Sequence, residues 1–404
     1  MNPTAIKVPR TVIVLAFVSG LLAITVVAGH AQNETVIYNF AGGGLGPDGS
    51  LPMSGLISDL EGNLYGTTRE GGIGYGTVFE LSPNPDGTWS ETLLYSFQSG
   101  TDGAEPFYSN LIFDKAGNLY GTAFYSGAHN YGVVFELSPT GKTWAEHVLY
   151  AFAGGSDGAN PTSGLIFDTA GNLFGTTDFG GANGVGTVFE LSPSGGAWTE
   201  HVIYNTVDST GHGTTAGLVM DAAGNLFGTT SSSFFEVSPD GKGGWSAKVI
   251  HTFLGGAKDG NYAAGTPALD DVGNVYGTTF YGGKYNYGTV YELVRGKKKW
   301  TEKILLNFKG GSHGSDPLAG VVLDAARNVY GTTTGGGRSG FGTVFELVAP
   351  LTKGAYKEKV LWSFGNTDGN EPFGTLMMDS LGNIYGTTGY GGSSGNGVVF
   401  QVVP

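Results

Sequence analysis

The sequence contains no cysteine. Disulfides, thiolate catalysis, cysteine metal sites and lipidation of a leading cysteine are all excluded, and passage through an oxidising compartment would add no cross-link. Basic residues are scarce: Lys and Arg number 20 against 34 Asp and Glu, a formal charge of −14. A surface of that sign repels nucleic acid and anionic lipid, keeps an exported protein soluble, and can attract cations or basic partners. No helical periodicity runs through the chain, and no glycine-rich segment leads from a strand into a helix, so a phosphate loop is excluded. The histidines form no His-x-x-x-His pair.

Long apolar runs are also missing, with one exception at the N-terminus. Lys7 and Arg10 precede an apolar run from Thr11 to Ala28, and Gly29-His30-Ala31 places small residues at −3 and −1 of a cleavage site. This layout predicts a secretory signal peptide over residues 1–31, cut between Ala31 and Gln32. An uncleaved membrane anchor is the alternative, since the run is long enough to span if tilted. Without Lys7 and Arg10 the mature chain carries 18 basic and 34 acidic residues, or −16. It is expected to be soluble, secreted or periplasmic, and monomeric.

What the chain does have is one phrase repeated seven times: Asp, two variable residues, Gly, Asn, apolar, aromatic, Gly, Thr. The aromatics are Tyr65, Tyr120, Phe174, Phe227, Tyr276, Tyr330 and Tyr385, spaced by 55, 54, 53, 49, 54 and 55 residues. A fixed period of that size marks a repeat architecture. The third copy shows the local reading. Gly164 to Phe167 is a short buried strand, and Asp168 to Asn172 a tight turn in which the Asp oxygens bond amides and Gly takes positive φ. Leu173 to Thr177 is a second strand, the Gly-rich loop Asp178 to Gly186 leads to a third at Thr187 to Leu191, and Trp198 to Tyr204 forms a fourth. Four antiparallel strands repeated seven times predict an all-β, seven-bladed propeller over residues 32–404. The last copy ends at its third strand, Val398 to Val402, whereas Glu34 to Phe40 matches the fourth strands Glu91 to Phe97 and Glu146 to Phe152. The N-terminal strand is therefore expected to complete the last blade and remove its open edge.

The segment Gly62-Asn63-Leu64-Tyr65-Gly66-Thr67-Thr68 followed by Gly76-Thr77-Val78-Phe79-Glu80-Leu81, with its six counterparts, resembles the GloVer (Gloeo/Verruco-type) tandem repeats of exported bacterial proteins. The resemblance covers nearly the whole mature chain. It implies a surface or secreted repeat protein, often with a separate C-terminal anchor or sorting module, and no defined reaction. This chain departs from that pattern, since Pro404 directly follows a strand.

Function is expected on the face carrying the long loops: the Gly-rich loops and the crossovers between blades. The crossovers repeat Asp-Gly, at Asp48, Asp102, Asp157, Asp259 and Asp368, and the Gly-rich loops hold aromatics including Tyr125, Tyr131, Tyr281 and Tyr390. Acidic oxygens beside exposed rings suit sugar hydroxyls or cations; alternatively, Asp-Gly only builds the turn and the rings wedge between blades. The repeated Glu80, Glu136, Glu190, Glu236, Glu292 and Glu346, with Gln401 in the seventh copy, read as structural hydrogen-bonding groups, since a buried acid requires a partner.

Two departures from the repeat stand out. The fourth copy has only 9 residues from Phe227 to Glu236, against 16 from Phe174 to Glu190, and its preceding crossover contains His212. This predicts a notch in the long-loop face. Glu105, Asp316 and Glu371 precede the crossover prolines entering blades 2, 6 and 7, where Leu51, Asn160 and Thr266 stand elsewhere. They are expected near the mouth of the central channel as one acidic arc. Such carboxylates can perform acid–base work on a glycoside, as a glycosidase or lyase, or hold Ca²⁺ through oxygen ligands, or be solvated rim charges. The ligand candidates are thus Asp102, Tyr125, Tyr131, Asp368, Tyr390 and His212 for a non-catalytic glycan- or protein-binding scaffold, with Glu105, Asp316 and Glu371 for the enzymatic alternative.

Overall fold

Each Asp-x-x-Gly-Asn hairpin is a closed set of hydrogen bonds. In the first, Asp59 Oδ1 accepts the N–H of Glu61 and of Asn63, while Oδ2 accepts from Asn63 Nδ2 at 2.7 Å and from the Tyr65 hydroxyl at 3.0 Å. Gly62 takes φ +87°, as the turn demands. In the sixth copy Arg327 occupies that position at φ +63°. The computed structural model describes residues 33–42, 48–211, 213–214, 216–352 and 354–404. The expected leader, residues 1–31, and His212 lie outside them.

These hairpins build seven four-stranded antiparallel blades. Blade 1 comprises Ile57–Ser58, Leu64–Thr68, Thr77–Pro83 and Trp89–Ser96, from the axis outwards. The innermost strand is shorter than the sequence predicts: in blade 3 only Ile166–Phe167 joins the ladder, against Phe174 and Leu173. The preceding Gly164 instead lies against its neighbour blade, where a Cβ would stand 2.8 Å from the Asn110 Cβ.

The recurring Gly after the aromatic has a direct steric cause. A Cβ on Gly66 would meet the Phe79 ring at 2.6 Å, because the third-strand aromatic lies across the second strand there. The two threonines that follow divide the work. Thr67, Thr122, Thr176, Thr278, Thr332 and Thr387 donate to carbonyls of the next blade just before its inner strand, whereas Thr68, Thr177, Thr279 and Thr333 pair with a third-strand threonine in their own blade.

Apolar side chains pack between blades rather than within them. Tyr65 and Val78 of blade 1 share a core with Leu119, Phe135 and Leu137 of blade 2, and Tyr385 and Val399 of blade 7 share another with Leu56, Leu64 and Phe79 of blade 1. The third-strand glutamates are hydrogen-bonded, as expected, but mostly within their own blade, as Glu80 is by Ser82 and Glu346 by Tyr330 and Lys359, and one of them reaches across a blade interface. Glu190 accepts from Trp245 Nε1 of the next blade at 3.1 Å, and Gln401 donates to the Tyr385 hydroxyl at 3.0 Å.

The ring closes with the chain ends. Asn33–Asn39 pairs with Val398–Val403, running from Asn33 opposite Val403 to Asn39 opposite Val398. Thr387 of blade 7 donates to the Ser54 carbonyl of blade 1 at 2.7 Å. Removing residues 32–40 uncovers the edge of Val398–Val403 and strips Val36 from the blade 7 core. The melting temperature of that deletion is expected to fall by more than about 10 °C, with aggregation, and a peptide of residues 32–40 added in trans should restore part of it. A deletion that melts like the intact protein contradicts strand closure.

Candidate functional site

The crossovers into the blades contain a feature that proline spacing does not announce. Leu51, Glu105, Asn160, Asp316 and Glu371, each preceding a proline, adopt φ between +51° and +59°, although left-handed backbone is costly for side-chain-bearing residues. Both backbone groups are committed. The N–H of Glu105 donates to the Tyr75 carbonyl of the previous blade, and its own carbonyl accepts from Phe124 N–H; Asp316 and Glu371 repeat the pattern with Tyr287 and Thr334, and with Phe341 and Gly389. The strain thus belongs to the blade junction and fixes where each side chain leaves the backbone.

This geometry corrects the assignment for blade 5. Its left-handed position is Tyr262 (φ +63°), which accepts from Phe280 N–H. Thr266, which precedes a proline, instead accepts the Gly217 N–H through its hydroxyl at 3.0 Å. Proline alone misplaced the register. The signal that finds Tyr262 is its distance to the aromatic-Gly-Thr phrase.

The three acids do not act as one arc. Glu105 is bound by Arg69 of blade 1, Nε to Oε2 at 2.8 Å, and that guanidinium sits over the Phe107 ring at 5.1 Å. Asp316 and Glu371, by contrast, line one cavity of about 610 Å³ with Tyr262, Phe280, Tyr281, Leu318 and Phe373. Burial pushes the Asp316 carboxyl above its ordinary value. Tyr281 is 45% exposed, and its ring meets Phe280 edge to face at a centroid distance of 4.5 Å. The cleft therefore has aromatic walls, two carboxyl groups and, among its described lining residues, no lysine or arginine. It shares Tyr262, Leu318 and Phe373 with a smaller axial cavity of about 130 Å³ lined by residues of all seven blades.

The other candidates fall in different places. Tyr390 approaches the mouth, 6.4 Å from Phe373, and Tyr125 packs on Phe124, which meets Phe107. Tyr131 lies against Gly154, where a Cβ would stand 2.8 Å from its ring. Asp102 and Asp368 are turn-building groups: Asp102 accepts from the Tyr95 hydroxyl and Gln98 N–H, and Asp368 from Trp362 Nε1 and Gly365 N–H. In blade 4 the Gly-rich loop is reduced to a tight turn, Thr230 to Ser233, held by Asp208 through Ser232.

The crossover aspartates face a second repeated acid. Glu34, Glu91, Glu146, Glu200 and Glu302 stand beside Asp368, Asp48, Asp102, Asp157 and Asp259 respectively, and each has a buried Oε1 without a hydrogen-bond partner. Burial first, and then the neighbouring carboxylate, push Glu91 and Glu146 up to about 7 and the other three up to about 8. At one junction His251 Nε2 lies 3.5 Å from Asp259 and 3.7 Å from Glu302, forming the single cluster of three metal-ligating side chains among the described residues. Tyr38, Tyr95, Tyr150 and Trp362 fill the histidine's place elsewhere, which makes the position architectural.

Because these glutamates bind their proton more tightly folded than unfolded, their stabilisation is complete below about pH 4 and lost as pH rises through about 7 to 8. The melting temperature should therefore fall between pH 5 and pH 9, and Glu200→Gln should raise it at pH 8.5 while changing it little at pH 5. A profile that is flat or rises across that interval contradicts the acid pairing.

Seven four-stranded blades around an axis define the protein as a seven-bladed β-propeller. The model of the Gloeobacter/Verrucomicrobia repeat matches residues 23–154, 52–234 and 231–404, and the chain belongs to that repeat family. No curated protein matches the sequence. Among solved structures it is similar to virginiamycin B lyase from Staphylococcus aureus, with a TM-score of 0.56 and 12% identity over 92% of this chain and 99% of that one. A protein from Lactobacillus plantarum has a TM-score of 0.53 and 15% identity, over 77% of this chain and 85% of that one. The extracellular domain of a protein described as a hybrid two-component system from B. thetaiotaomicron has a TM-score of 0.54 and 13% identity, over 91% and 41%. At these identities the likeness is one of fold. Among the described residues no helix is long and apolar enough to cross a membrane.

Proposed function

We propose that this protein is an exported, monomeric, non-catalytic propeller that binds a saccharide on its long-loop face. The observation that carries this reading is the cleft between blades 5, 6 and 7, where Tyr262, Phe280, Tyr281 and Phe373 stand around Asp316 and Glu371. Aromatic faces pack against the apolar face of a sugar ring, and carboxyl oxygens accept from its hydroxyls. A cavity of about 610 Å³ has the size of a small-ligand site. Export is read from the leader sequence, and the acidic surface argues against nucleic acid as the ligand.

A second reading, a polysaccharide-active glycosidase or lyase, is favoured by one observation: the Asp316 carboxyl, raised by burial, shares the cleft with Glu371. Two carboxyl groups in one cleft are the residue types that general acid–base cleavage of a glycoside uses. Glu105 has no part in either reading, because Arg69 holds it.

Residues 32–404 should be screened on a glycan array and titrated calorimetrically with the oligosaccharides that bind. Asp316→Asn and Glu371→Gln are each expected to weaken binding about tenfold or more, with the sugar recovered intact. New reducing ends or unsaturated products that disappear in both variants would establish the second reading. Binding that survives both substitutions unchanged removes the cleft from consideration.

A further inference from the structure

Residues present in every copy serve the repeat, so a residue present in one copy asks for another reason. Pro52, Pro161, Pro317 and Pro372 each reach a buried apolar residue (Leu56, Leu165, Val321 and Leu376) four positions later, whereas Pro106 reaches Leu111 only after five. Ser109 keeps the repeat register, since its hydroxyl accepts the Thr122 N–H as that of Ser54 accepts the Thr67 N–H. The extra residue therefore lies in Phe107-Tyr108.

Tyr108 adopts φ +54°, a second left-handed residue in a crossover that already has one at Glu105. Such backbone in an aromatic residue costs on the order of 1 kcal/mol or more. The other blades close without the insertion; here the Tyr108 carbonyl accepts the Asn110 N–H, and Asn110 Oδ1 accepts the Gly55 N–H of blade 1 at 2.7 Å. The Tyr108 ring lies 3.9 Å from the Phe107 centroid and 6.2 Å from that of Phe373, on the opposite side of blade 1. It lines the axial cavity together with Tyr262 of blade 5 and Phe373 of blade 7. Burial raises its hydroxyl pKa, so the ring remains a neutral phenol.

We propose that Tyr108 is the central platform of the saccharide site, on which one sugar ring of the ligand stacks, and that the ligand is a neutral saccharide. The inference rests on the saccharide-binding reading above. The first part follows from the inserted, strained ring beside Phe373, a wall that the axial cavity and the cleft have in common. The second follows from charge. Asp316 and Glu371 face the ligand, and the nearby guanidinium of Arg69 is held by Glu105 at 2.8 Å. Among the described residues lining the cleft and the axial cavity no lysine or arginine is present to receive a uronate or a sulfate ester, and bringing either beside the two acids costs Coulombic repulsion.

Tyr108→Phe keeps the ring, and Tyr108→Leu fills much of the space without a π face. Calorimetric titration with the neutral oligosaccharide that binds best should show Tyr108→Phe within about twofold of the unsubstituted protein. Tyr108→Leu should be weaker by about tenfold or more, with melting temperatures of both variants close to the parent. Uronate and sulfated oligosaccharides of the same length should bind at least tenfold more weakly than neutral ones. Unchanged affinity in Tyr108→Leu, while Asp316→Asn loses binding, overturns the platform and leaves the cleft reading intact. Tighter binding of a uronate or sulfated chain overturns the ligand class. No saccharide bound by the unsubstituted protein overturns both readings. Should Tyr108→Leu fail to fold, a crystal structure of the unsubstituted complex decides: a sugar ring over Tyr108 supports the platform, and one elsewhere rejects it.

Discussion

Everything in this molecule depends on the contact between one blade and the next. A four-stranded sheet of this length has two faces to cover and, among the described residues, no α-helix to cover either, so each blade buries its apolar residues against its neighbours. Such a stack gains most when the last blade meets the first, and here Val36, Phe40 and Val399 complete cores that begin with Leu376 or Leu56. With no cysteine in the chain, no disulfide reinforces that closure. A strand borrowed from the other terminus joins sequence ends that would otherwise fray, and Thr387 secures the inner side of the same junction.

Repetition also sorts the polar groups. A carboxylate that recurs at the same position in most blades is architectural, however suggestive its chemistry looks in isolation. The Asp of each Asp-x-x-Gly-Asn turn, the third-strand Glu and the crossover Asp all belong to this class, as do the glutamates that face those crossover aspartates. Burial works in both directions among them. Asp114 and Asp221 sit below the ordinary carboxylate range because hydrogen bonds from the turn amides and the Asn side chain outweigh their burial, whereas Glu200 and Glu302 lack that support and are pushed up. What remains after these are set aside is small: Asp316, Glu371 and the rings around them.

The seven copies, their strands and the closing strand were legible in the sequence because they rest on local chemistry. Alternation, turn residues and a fixed period are properties of neighbours along the chain. The acids at the crossovers were legible as departures too, and two of the three were brought together. Glu105 was not separable from the others by sequence, because its partner Arg69 lies 36 positions away on a different blade. Tyr262 was hidden by a misleading proline, and Tyr108 by an insertion of one residue.

The sequence by itself determined the blade count, the strand order and the closing of the ring, since each follows from hydrogen-bonding and packing patterns repeated along the chain. The tertiary structure alone decided which crossover side chains share a cavity. That outcome depends on the left-handed backbone at each junction, on the ion pair that removes Glu105, and on the place of Tyr108 in the lining of the axial cavity. These are relations between residues of different blades, and no local pattern encodes them.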